Sequence, residues 1–274
     1  MTKKNRKHSA GIVLRDILLA LLLVAVVAAS AILVYRRFFE SGPATPDEKR
    51  NIAMNHYDAD SFYEENGMLR YAKSAHLTGV DVSEHQEKID WAAVRAAGVD
   101  FAILRIGYRG YTEGSIQEDT YFEQNLAGAI DAGLDVGVYF FSQAMDEQEA
   151  REEARFVLDK ISGYQLAYPV FFDWEKIGAD ARSDAMDLTS LTTVTDTFCS
   201  EIEAAGYQAG LYFNQQLGYE ELHLPSLQGY TFWLAEYNDT PSFTYDFDLW
   251  QYASDGSVDG IDGDVDLNLA FIGK

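Results

Sequence analysis

The chain has 274 residues, 47% of them hydrophobic, enough for one sizeable core. Its formal charge is −23, and residues 1–37 hold seven Lys/Arg and one Asp, which leaves 14 Lys/Arg against 43 Asp/Glu from Phe38 onward, a net −29. A body this negative excludes nucleic acid and anionic lipid headgroups as ligands, since both are polyanions, but is indifferent to a neutral glycan; the single cysteine, Cys199, excludes an intrachain disulfide.

The first element is apolar. Ile17 to Tyr35 contains 19 consecutive uncharged, mostly aliphatic residues, long enough to cross a bilayer core as a helix. Lys3, Lys4, Arg6 and Lys7 precede it and place the amino terminus in the cytoplasm. A competing reading is a cleaved signal peptide with Ala29-Ser30-Ala31 as the small-residue site. The run continues through Ile32, Leu33 and Val34, which favours an uncleaved anchor. Pro43 and Pro46 stop the helix, and the chain to about Leu77 reads as a polar stalk with scattered aromatics and no core of its own.

From Gly79 apolar strand-like runs alternate with helical patterns. Strands are predicted at Gly79–Ser83, Phe101–Ile106, Leu134–Phe141, Pro169–Asp173, Ala209–Phe213, Tyr230–Tyr237, Asp248–Tyr252 and Val265–Leu269. Helices are predicted over Trp91–Ala97, over a segment ending at Gly133, and over Glu147–Ile161 and Leu188–Ala205, with Gly98, Gly133 and Gly206 closing three of them. Alternation of this kind indicates a mostly parallel sheet covered by helices. About eight strands in so short a stretch point to an irregular α/β barrel, with a flavodoxin-like open sheet as the alternative. The last strands have little helix between them and need not all be parallel.

Chemistry concentrates at strand ends. In Tyr168-Pro-Val-Phe-Phe-Asp-Trp-Glu175 a buried run ends in two acids. Residues i and i+2 of a strand point the same way, about 6.5–7 Å apart along the rise, so Asp173 and Glu175 project together. The carboxyl ends of barrel strands are where such folds carry their active sites, and paired carboxylates are the equipment of glycoside hydrolysis. Asp81 ends the first strand and Asp266 opens the last. A closed sheet makes these strands neighbours, so four acids would line one pocket and raise the pKa of at least one of them. Tyr139, Phe141, Trp174, Tyr212, Trp233, Tyr237, Trp250 and Tyr252 fall at or near strand ends, as candidate walls for a sugar, although half of them are expected in the core. His85, beside the first strand, fits a cleft or a surface role equally. Asp259-Gly-Ile-Asp-Gly-Asp-Val-Asp266 fails as a calcium loop, because Leu267 and Gly273 stand where Gly and Glu are required. Five histidines without HExxH or cysteine partners argue against zinc, there is no GxSxG elbow, and no metal or organic cofactor is expected. Cys199, in a helix-like segment, is read as a small buried apolar residue.

Eight segments in order carry a family resemblance: Gly79-Val-Asp-Val-Ser-Glu-His-Gln86, Ile89-Asp-Trp-Ala-Ala-Val94, Gly98–Tyr108, Gly137-Val-Tyr-Phe-Phe-Ser142, Pro169–Glu175, Trp233-Leu-Ala-Glu-Tyr237, Leu249-Trp-Gln-Tyr252 and Val265-Asp-Leu-Asn268. Together they resemble glycoside hydrolase family 25, the lysozymes (N-acetylmuramidases) of bacteria and phages. The resemblance implies a (β/α) barrel that cleaves the β-1,4 bond between N-acetylmuramic acid and N-acetylglucosamine. It implies Glu175 as acid/base, Asp173 as the partner that orients the sugar's 2-acetamido group, and Asp81 and Asp266 as the other pocket acids. Tyr139, Phe141, Trp174, Tyr212, Trp233, Tyr237, Trp250 and Gln251 are the expected substrate contacts. His85 and Glu236 depart from the frequent family form. The expected organisation is a cytoplasmic basic tail (1–16), a transmembrane signal anchor (17–37), an extracellular stalk (38–77) and a catalytic domain (78–274). Such a chain would act as a monomer on peptidoglycan strands at the outer side of a bacterial cell membrane. A silent glycan-binding protein and a chitinase-like hydrolase are the alternatives.

Overall fold

The computed structural model describes residues 52–178 and 181–272. The expected basic tail, the apolar run and the first part of the stalk lie outside the described residues. Among the described residues no helix is long and apolar enough to cross a membrane.

Eight strands close into a barrel: β3 (Ala75–Val82), β4 (Phe101–Arg109), β6 (Asp135–Ser142), β7 (Val170–Trp174), β8 (Ala209–Asn214), β9 (Thr231–Ala235), β10 (Leu249–Gly256) and β11 (Val265–Ile272). All eight predicted strands are present. Neighbours from β3 round to β10 are parallel, and β11 runs antiparallel to both β10 and β3, completing the ring. A short β5 (Ile116–Glu118) adds to β4 as an antiparallel flap. Covering helices are α1 (Trp91–Ala96), α2 (Phe122–Asp131), α3 (Glu147–Lys160), α4 (Leu188–Ala204) and the one-turn α5 (Leu224–Leu227). Asp90, Asp146 and Asp187 cap α1, α3 and α4 by accepting backbone N–H bonds of 3.1, 3.0 and 2.8 Å. Gly133 and Gly206 end α2 and α4 at φ +78° and +92°, a backbone state that side chains with a Cβ resist.

Strand alternation builds two cores. Outward residues such as Val138, Phe172 and Phe213 pack beneath the helices, and Cys199 is buried there as an apolar residue. Inward residues Phe101, Ile103, Phe171, Trp233 and Leu249 plug the barrel's lower half. That plug requires glycine opposite its rings: a Cβ on Gly79 would lie 2.3 Å from Phe101, and one on Gly210 2.5 Å from Phe171. The plug forces any open space to the carboxyl end of the parallel strands.

The coreless stalk expected over 38–77 does not describe residues 52–77. Here β1 (Phe62–Glu65) and β2 (Met68–Tyr71) form a hairpin. Its Asn66-Gly67 turn has φ of +55° and +76°, the backbone signs of the two-residue turn that matches strand twist. The connection from β9 to β10 carries no helix, nor does that from β10 to β11, so aromatic side chains on the outer faces of β10 and β11 need another cover. Tyr57 supplies it by stacking on Phe271 at 3.9 Å, and Phe62 meets the Trp250 ring edge-on at 5.4 Å. Ile52, Met68 and Tyr71 are buried in the same layer.

Candidate active site

The all-buried β7 run fixes the parity of the acids that follow. Phe171 faces inward to the plug, so Asp173 also faces inward, and Glu175 follows on the same side just beyond the strand. On the other side of the ring, β3 and β11 place Asp81 and Asp266 as direct cross-strand partners. All four acids line one pocket of about 260 Å³ at the carboxyl end of the barrel, with room for about one sugar ring.

A hydrogen-bonded floor holds Asp81. Gln251 Nε2 and Asn268 Nδ2 both donate to its Oδ1, at 2.9 and 2.7 Å. Gln251 Oε1 accepts from the hydroxyls of Tyr212 at 2.8 Å and Tyr237 at 3.0 Å, while Asn268 Oδ1 accepts from Trp233 Nε1 at 2.8 Å. Each amide therefore has its oxygen on an O–H or N–H donor and its nitrogen on a carboxylate, which settles its orientation. Glu175 is fixed through its backbone: Gln143 Nε2 donates to the Glu175 carbonyl at 3.2 Å.

Burial acts on every acid of the site, and the charges of neighbouring carboxylates add to it at Asp81, Asp173 and Asp266. Burial pushes the Asp81 carboxyl up to about 6 against the pull of Asn268 and Gln251, with Glu175 adding repulsion. Asp266 is pushed up to about 8 by burial, then by Asp81 and Glu175. Asp173 is held well above the usual carboxylate range by burial and by the charges of Glu175 and Asp81, with Arg105 offsetting part. Its Oδ1 is buried without a hydrogen-bond partner. Burial also raises Glu175, while the Tyr212 hydroxyl pulls it back. A cluster of this kind retains protons at neutral pH, and a neutral carboxyl is what a general acid must be.

Tyr139, Phe141, Tyr212, Trp233, Tyr237 and Gln251 line the pocket, and so does His85. Trp174 and Trp250 do not. Each is one residue out of phase with an inward neighbour, Asp173 and Gln251, so each points to the outer core, where they are 2% and 0% exposed. Sequence reading missed Arg105 and Asn268. Arg105 follows Phe101 and Ile103 at the inward positions of β4, lines the pocket, and donates to Asp119 at 2.8 Å and to Glu84 at 3.0 Å. A charge at an inward position of a buried strand was the available signal for it.

The chain is similar to several known proteins. Lysozyme M1 of Streptomyces globisporus is 26% identical over 214 residues, covering 72% of this chain and 68% of that protein. The modular autolysin LytC of Streptococcus pneumoniae, solved in complex with a synthetic peptidoglycan ligand, matches with a TM-score of 0.65 at 26% identity. That match covers 81% of this chain and 52% of the autolysin, so the chain spans about half of that structure's length. A family 25 glycosyl hydrolase from Bacillus anthracis shares the fold at 21% identity, with a TM-score of 0.61 over 77% of this chain and 95% of that one. The family model for glycosyl hydrolases family 25 matches residues 80–261, which run from β3 through β10 and hold Asp81, Asp173 and Glu175, and on that match the chain belongs to this family.

Proposed function

We propose that the protein is a membrane-tethered muramidase that cleaves peptidoglycan between N-acetylmuramic acid and N-acetylglucosamine. The observation that carries the reading is the inward convergence of Asp81, Asp173, Glu175 and Asp266 on one pocket with raised proton affinities. Glu175 protonates the glycosidic oxygen as the C1–O bond breaks. The 2-acetamido oxygen of the same sugar attacks C1 from the other face, and Asp173 steadies the acetamido N–H as positive charge develops. Glu175, now a carboxylate, takes a proton from water, which opens the cyclic intermediate with net retention. Asp81 and Asp266 shape the field around these steps. All four acids come from one chain, which supports action as a monomer. The uncharged stretch Ile17–Tyr35 behind a basic tail supports an anchor in the cytoplasmic membrane with the barrel on the wall side. Such a tether raises the local concentration of enzyme at the wall.

The test is digestion of purified cell walls by the full-length protein, followed by borohydride reduction and mass spectrometry. New ends recovered as reduced muramic acid are expected. Ends recovered as reduced glucosamine overturn the bond assignment, and no release overturns the hydrolase. Glu175→Gln is expected to lower turnover by about 10²–10⁴-fold, the usual contribution of a positioned acid.

A further inference from the structure

A second groove, of about 650 Å³, adjoins the catalytic pocket, and Tyr237 lines both. One wall is the β1–β2 hairpin, through Leu69, and the opposite wall is the end of β10 with Ser254. Asn238 and Leu267 contribute further, and Tyr252 joins the walls by accepting the Leu69 backbone N–H at 3.2 Å. The hairpin precedes residues 80–261, the stretch that the family model matches. The volume falls within the range that small-molecule sites occupy.

We propose that this groove is a distal saccharide subsite, which holds the uncharged sugar backbone of the same glycan strand as it leaves the catalytic pocket. The proposal rests on the hydrolase reading for the identity of the strand. Tyr237, which lines both and is 54% exposed, offers the strand a face for stacking between them. The charge of the walls selects the occupant. Glu64, Asp239 and Asp255 line the groove and no cationic side chain does, among the described residues. An anionic wall polymer is repelled there, whereas sugar hydroxyls and acetamido N–H groups find acceptors. An added subsite of this kind makes recognition depend on chain length without changing the reacting centre.

The test measures binding of uncharged β-1,4-linked N-acetylglucosamine oligomers, disaccharide to octasaccharide, to full-length Glu175→Gln protein by calorimetry. Ser254→Trp is added to fill the groove, with Ser257→Trp as a second block; both positions are exposed. The octasaccharide should bind more tightly than the short oligomers. Each block should weaken octasaccharide binding about tenfold, or ~1.4 kcal/mol, and leave disaccharide binding unchanged. Octasaccharide affinity unaltered by both blocks overturns the subsite, as does a loss shared equally by the disaccharide. Wild-type protein that releases no wall fragments, while length-dependent binding survives and is lost in the blocked variants, overturns the hydrolase and keeps the subsite.

Discussion

Replacing Asp81 by Asn removes a charge from the barrel while keeping the hydrogen bonds that hold it. Gln251 and Asn268 both donate to Oδ1, and an amide oxygen accepts both. In the wild type this carboxyl lies at about 6 instead of 3.8, with burial outweighing those two bonds. An acid with a raised folded pKa keeps its proton in the folded chain at a pH where the unfolded chain has lost it. Stability from this group is therefore complete below about pH 4 and is lost as pH rises to about 6. At about 1.4 kcal/mol for each tenfold change in proton affinity, the ionised carboxylate destabilises the fold by about 3 kcal/mol. Asp81→Asn should recover up to that amount at neutral pH, a rise in Tm of about 6–12 °C for a domain of this size. Thermal unfolding followed by near-UV circular dichroism across that pH range is the assay. The two proteins should coincide near pH 4 and diverge towards pH 7, while the variant loses wall-degrading activity. A variant no more stable than wild type at neutral pH, or a gap that ignores pH, refutes the reasoning.

Two further perturbations separate the floor of the site from its surroundings. Gln251→Leu leaves the hydroxyls of Tyr212 and Tyr237 without their acceptor and takes one donor from Asp81, so a stability loss of about 2–3 kcal/mol with a fall in kcat is expected from denaturant unfolding and steady-state kinetics. Trp174→Phe and Trp233→Phe should diverge: the Trp174 indole N–H is buried without a partner, so its loss should leave kcat and KM unchanged. Trp233→Phe instead frees Asn268, should lower kcat, and equal effects of the two substitutions would contradict the inward and outward assignment.

The fold was legible because periodicity and punctuation agreed. Each of the eight barrel strands appears in the sequence as a short apolar run, and glycines mark the helix ends. The four acids were legible because closing such a sheet makes its first and last strands neighbours. Failures came where strand ends were counted without parity. Trp174 and Trp250 were grouped with pocket aromatics by position alone, although one step along a strand reverses the face. The same parity, applied to Phe101, Ile103 and Arg105, would have brought Arg105 into the site. The hairpin was missed for another reason. Asn66-Gly67 between aromatic-rich runs is a strong turn signal, but the acidic, proline-flanked surroundings suggested a linker. Its burial comes from Phe271 and Trp250, which lie far along the chain, so local composition carried no sign of it.

The reversed final strand connects the site to that hairpin. Asp266 is the second residue of β11, and it reaches the carboxyl end of β3 only because β11 runs against its neighbours; a parallel strand would place it at the opposite mouth of the barrel. Reversal joins β11 to β10 by a turn in place of a crossover helix, which is what leaves the outer faces of Trp250, Tyr252 and Phe271 in need of cover. Residues 52–71 provide it, and where β2 passes beside Tyr252 the walls of the second groove form. One topological choice thus brings the fourth carboxylate to the active site and creates the surface on which the adjoining groove is built.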